Sequence, residues 1–93
     1  MATLKETVRI VNEKGLHARA SNKFARLVGT FQSEVRVFNQ GEMANGESIM
    51  DLLMLVAHRG SDIDIEVVGV DAETALSALV KLVENGFGEL DKE

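Results

Sequence analysis

The chain of 93 residues contains no cysteine, which excludes a disulfide framework and any cysteine-ligated metal. That absence fits a reducing compartment. Proline is also missing, so cis X–Pro geometry plays no part in the fold. No long apolar run exists: Leu52 to Ala57 is the longest and is far too short to span a bilayer. The opening MATLKETVRIV lacks the apolar stretch of a signal peptide. These absences predict a soluble, cytoplasmic protein with no membrane insertion. A surplus of basic charge is lacking too. The net charge of −5 disfavours nucleic acid as the main partner.

What is present is an ordinary globular balance, 45% hydrophobic and 27% charged, enough for a single domain over 1–93 with one modest core. The charge is uneven along the chain. Residues 1–46 hold seven Lys and Arg against four Asp and Glu, whereas residues 47–93 hold three against eleven. The first half, at +3, suits an anion or an acidic partner; equally, two solvated faces can differ by chance.

Hydrophobic periodicity predicts the order β-α-β-β-α-β-α. Lys5 to Val11 alternates around Val8 and Ile10 as a half-buried strand. Ala20, Phe24, Leu27 and Val28 recur at helical spacing between Ala18 and Gly29. Glu34 to Phe38 alternates again, Asn39-Gln40-Gly41 is a turn, and Glu42 to Ala44 is a short return strand. A second helix starts at Ser48, with Asp51 three residues on, and runs to about Ala57; Leu52, Leu55 and Val56 supply its buried stripe. Ile63, Ile65 and Val67 alternate with Asp62, Asp64 and Glu66, placing the acids on a wet face. Ala72 to Asn85 forms the third helix, with Asp71 as its cap and Gly86 past its end. Three such helices fit on one face of a four-stranded sheet, an α+β arrangement.

The segment with chemical content is Gly15-Leu16-His17-Ala18-Arg19. It places His17 at a strand-to-helix junction, where unpaired N–H groups and the positive end of the helix dipole make an anion site. The same environment favours a neutral, nucleophilic imidazole. Arg19 offers charge-assisted hydrogen bonds to phosphate oxygens. Arg19, Lys23 and Arg26, at i, i+4 and i+7, lie on one helix face. Together they suit phosphoryl transfer to and from an imidazole nitrogen, which needs positioning and charge stabilisation. Standing against this, a lone His at a helix start is commonly just a cap or a surface residue, and a basic stripe just a solvated face. His58, near the end of the second helix, is given a structural role only. No His, Asp and Glu spacing argues for a metal, and no cofactor is expected.

The run GLHARAS, with Ser48-Ile49-Met50 opening the second helix, resembles the histidine-containing phosphocarrier protein (HPr) family of the bacterial phosphotransferase system, including its nitrogen-related branch. The likeness covers nearly the whole chain. It implies an open-faced β-sandwich, with a four-stranded antiparallel sheet and three helices on one face. It implies that His17 accepts a phosphoryl group at Nδ1 from enzyme I, charged by phosphoenolpyruvate, and passes it to IIA-type acceptors. Arg19 would assist the phosphohistidine, and Ser48 would be the target of an HPr kinase/phosphorylase. Such a protein carries phosphate between enzymes and does not catalyse alone. The chain departs from the pattern at Ala20, where many members have proline; alanine is an excellent helix former, so the local geometry should survive.

Ser48 has an independent structural explanation as an N-cap, and the flanking Glu47 and Asp51 would repel a phosphoserine. The second helix is apolar almost all round, so Ile49, Met50 and Leu53 are expected to stand outside its buried stripe. With Ala18, Ala20, Lys23 and Arg26 they form the expected partner-binding surface on a monomer. Two alternatives stand beside the carrier: a regulatory binding module whose docking is tuned by phosphorylation at His17 or Ser48, and a small α+β domain for some other ligand.

Overall fold

A computed structural model describes residues 3–90. The elements are β1 (Thr3–Arg9), α1 (Ala18–Val28), β2 (Ser33–Asn39), β3 (Glu42–Asn45), α2 (Ile49–Met54), β4 (Asp62–Gly69) and α3 (Ala72–Glu84), closed by one 3-10 turn, Gly86–Gly88. The strands form one sheet in the order β1-β4-β2-β3, with every neighbouring pair antiparallel. Among the described residues no helix is long and apolar enough to cross a membrane.

The sheet's inner face follows from alternation. Val8, Val35, Val37, Ile63, Ile65 and Val67 are all buried and meet Phe24, Val28, Leu76, Leu79 and Val83 from the helices. α3 lies against β1 and β4, α2 against β3, and α1 packs beside both α2 and α3. All three helices therefore share one face. The other face is wet and polar, as the acids of β4 predict. There Arg9 pairs with Asp62 at 2.9 Å, the Thr7 hydroxyl donates to Asp64, and Arg36 reaches Glu66 at 3.6 Å. Exposed pairs of this kind contribute little each, yet they fix cross-strand register.

Three expectations need correction. Strand β1 ends at Arg9 rather than Val11, because Ile10 turns to bond Ser61 and Gly60 across the loop. Helix α2 ends at Met54 rather than near Ala57. Leu52 is its buried position and Leu55, its C-cap, is buried too, while Val56 takes φ 50° and is 61% exposed. That early turn has a cause: the Leu55 carbonyl accepts from the Asn39 amide at 3.0 Å, and the Ala57 carbonyl accepts from Leu16 N–H at 3.0 Å. Asp71 stands at the N-cap of α3 but makes no capping bond. Its carboxylate instead accepts from the Ser33 hydroxyl and from Gln32 N–H at 2.8 Å, tying α3 to the start of β2.

Candidate functional site

His17 is the N-cap of α1, with extended backbone angles. Its carbonyl accepts the first helical bond, from Ser21 N–H at 2.9 Å, and the Ser21 hydroxyl donates to Leu16 O at 3.2 Å. The approach to the helix is set by Gly15. Its φ is 62°, and a Cβ there would lie 2.3 Å from the Ala57 carbonyl oxygen. Only glycine lets the loop before α1 press this closely on the loop after α2.

The imidazole is held from both sides. Arg19 N–H donates to Nδ1 at 3.3 Å, so Nδ1 presents its lone pair to the start of the helix. The ring proton then sits on Nε2, which donates to Glu89 Oε2 at 2.6 Å. Of the two side chains, His17 is 26% exposed and Glu89 12% exposed. Glu89 Oε1 accepts from Asn12 Nδ2 at 3.0 Å, and the same amide donates to Gly15 O at 2.9 Å. Asn12 is fully buried, and its Oδ1 has no partner among the described residues. Burial pushes the Glu89 carboxyl up, but the bonds from Asn12 and His17, with the charge of Lys23, outweigh it and leave the group below the usual carboxylate range.

Glu89 reaches the ring because the chain folds back after α3. Gly86, Phe87 and Gly88 all take left-handed angles, and the Phe87 side chain is fully buried. Lys23 Nζ donates to the Phe87 carbonyl at 2.7 Å. The strap is thus pinned by one apolar anchor and one cation. Neither Glu89 nor Asn12 follows from helical or strand periodicity, since both sit in irregular backbone. The sequence signal that could have found the strap is the Gly-Phe-Gly run directly after a helix end.

The other sequence-predicted residues fall as follows. Arg19 is exposed, and its guanidinium meets no acceptor among the described residues; its contact with Nδ1 is through the backbone N–H. Ala18, Lys23 and Arg26 are exposed on the same helix, although Lys23 is engaged by Phe87. Ala20 is fully buried, so its side chain packs into the core and offers nothing to a partner. On α2, Ile49, Met50 and Leu53 are 39%, 68% and 36% exposed, and Met54, at 72%, extends the apolar surface. Ser48 is the N-cap of α2: its Oγ accepts from Asp51 N–H at 3.1 Å.

A partly exposed imidazole at a helix start, carried by an open-faced sandwich with an exposed apolar helix surface alongside, is an arrangement suited to a small group carrier. The chain matches the family model described as the PTS HPr component phosphorylation site over residues 4–85. It is 46% identical over 86 residues to the phosphocarrier protein HPr of Neisseria meningitidis serogroup A, covering 92% of this chain and 97% of that one. It is 40% identical over 88 residues to the phosphocarrier protein NPr of Escherichia coli K12, covering 94% and 98%. Its structure aligns with HPr-C-His from Thermoanaerobacter tengcongensis at a TM-score of 0.88 and 35% identity, over 92% and 97% of the two chains. The chain belongs to the HPr family of phosphocarrier proteins of the phosphotransferase system, a family whose matched members include both HPr and NPr.

Proposed function

We propose that this protein, acting as a single domain over 1–93, accepts a phosphoryl group on His17 Nδ1 from phosphoenolpyruvate-charged enzyme I and hands it to a IIA-type acceptor. The observation that carries this reading is the held imidazole: the Nδ1 lone pair faces the N–H groups of α1 while Nε2 is occupied by Glu89. In-line attack by Nδ1 forms the N–P bond as the donor's bond to phosphorus breaks. The incoming oxygens then meet the Arg19 N–H, the orphan donors of the first turn and the Arg19 guanidinium. Ala20 adds one donor that a proline there would lack.

Partner docking is assigned to Ala18, Lys23, Arg26, Ile49, Met50 and Leu53. The loop ending α2 bonds to the loop beginning α1 through Leu16 and Ala57, which keeps the apolar surface near the histidine. Two partners must use this face in turn, so the working form is a monomer, in the cytoplasm with the phosphotransferase enzymes. Ser48 is assigned as a secondary site for an HPr kinase, whose product would modify the Oγ that caps Asp51 N–H and would sit beside Asp51 and Glu47.

The test is phosphorus NMR of the purified protein with enzyme I and phosphoenolpyruvate, repeated on His17→Ala. An acid-labile phosphohistidine signal in the wild type that disappears in the variant is expected. Continued phosphorylation of His17→Ala by enzyme I would overturn the assignment.

A further inference from the structure

We infer that Glu89 is a positioning residue for phosphoryl transfer: its carboxylate keeps the proton on His17 Nε2 throughout the cycle, so that the phosphorylated ring stays an imidazolium and a good leaving group. This rests on the assignment of His17 as the phosphoryl acceptor.

The proton and electron balance is simple. The neutral ring carries its proton on Nε2 and its lone pair on Nδ1. When the lone pair forms the N–P bond, the ring becomes positively charged and keeps the Nε2 proton. When the N–P bond breaks to an acceptor, the pair returns to Nδ1 and the ring is again neutral. No proton enters or leaves at Nε2. If that proton were lost in between, the leaving group would be an imidazolate, which departs far less readily than neutral imidazole. A carboxylate 2.6 Å from Nε2, only 12% exposed, opposes that loss directly.

The geometry is built for a fixed carboxylate. The strap carrying Glu89 is anchored by Phe87, fully buried, and by Lys23. The second carboxylate oxygen is held by Asn12, which is itself buried and bonded to the loop beneath the histidine. One oxygen is thus positioned so that the other can serve the ring. The carboxyl is already displaced toward its ionised form in the unphosphorylated protein.

Other charged groups lie on the elements around the ring. Glu13 and Lys14 precede it on its own loop, Arg19 and Lys23 follow on α1, and the backbone of His58 packs against Gly15 from the loop after α2. Glu89 is the one whose carboxylate touches Nε2. Replacing Glu89 alone leaves the others unchanged, so a comparison isolates its charge.

The experiment follows the spontaneous hydrolysis of phosphohistidine by phosphorus NMR from pH 5 to pH 10, after phosphorylation with enzyme I and phosphoenolpyruvate. The full chain is compared with Glu89→Gln, which keeps an acceptor without the charge, and with Glu89→Ala. Hydrolysis slows as the ring loses its Nε2 proton. The falling limb should lie about one pH unit lower in Glu89→Gln, since an opposite charge in contact shifts a titration by one to three units. At pH 9 the variant should therefore hydrolyse about 10-fold more slowly, with rates equal at pH 5. Glu89→Ala should fall at least as far. Superimposable profiles in all three proteins, or a uniform slowing that includes pH 5, would overturn the role of Glu89 while leaving the carrier assignment intact. Absence of phosphohistidine in the wild type would overturn both.

Discussion

Gly15→Ala should weaken the fold by an amount that can be separated into two causes. The first is dihedral: at φ 62° an alanine is in the left-handed region, which costs roughly 1–2 kcal/mol. The second is steric. The new Cβ would sit 2.3 Å from the Ala57 carbonyl oxygen and 3.1 Å from His58 Cα, and backbone cannot yield as a side-chain tip does. The two loops must separate, stretching the Leu16 N–H bond to Ala57, worth about 0.5–1.5 kcal/mol. Together they give about 1.5–3.5 kcal/mol, against a total of roughly 5–14 kcal/mol for a chain of this length. Gly41 supplies the control. Its φ is 85° but nothing lies within 4 Å of its would-be Cβ, so Gly41→Ala should show the dihedral part alone, about 1–2 kcal/mol. Urea unfolding of both variants measures the difference. If Gly15→Ala loses no more than Gly41→Ala, the two loops are not in register through this contact, and the reasoning about how His17 is placed fails.

Three further outcomes follow from the structure. Leu52→Ala, at the fully buried position of α2, should lose about 2–5 kcal/mol in urea unfolding with little change in slope; a loss under about 1 kcal/mol would mean α2 does not seat through Leu52. Met50→Glu changes a side chain that is 68% exposed, so stability should stay within about 0.5 kcal/mol while the rate of phosphorylation by enzyme I falls; an unchanged rate would remove α2 from the docking face. The Ser33 hydroxyl, with Gln32 N–H, holds the Asp71 carboxyl below its ordinary value against the opposing effect of burial. Its contribution is therefore present above the unfolded value of about 3.9 and is lost as pH falls through the lower folded value. Asp71→Asn should flatten the acid limb of a stability-against-pH curve, and parallel curves from pH 7 to pH 2 would show that the bond contributes nothing.

The parts of the fold that were legible are those governed by period. Val35, Val37, Ile63, Ile65 and Val67 announce one buried sheet face, and Ala20, Phe24 and Val28 one helix face. The place of His17 at the start of α1 was legible because a helix start is set by local sequence. What escaped depends on contacts distant in sequence. Glu89 meets His17 across 72 residues, and Asn12 meets Glu89 across 77. The early end of α2 is set by Asn39 and Leu16, neither of which belongs to the helix. Asp71 looked like a cap by residue type, but Ser33 and Gln32 offered its carboxylate better donors. Ala20 was placed both on the apolar face of α1 and on the partner surface, and the structure, with its side chain fully buried, keeps only the first.

The position of β4 has a consequence for how the chain is made. It is the last strand in sequence, yet it lies between β1 and β2, and Thr3 finds its partner only at Val68. During synthesis the hairpin of β2 and β3 can close as soon as it emerges, while β1 waits, unpaired and apolar on one side, until residues 62–69 arrive. Sheet formation is therefore a late, nearly all-or-none event with high contact order, and folding should be slow relative to helical proteins of the same size. A nascent chain stalled before β4 has a hairpin and helices but no sheet for them to cover, and is the form most exposed to quality-control proteases.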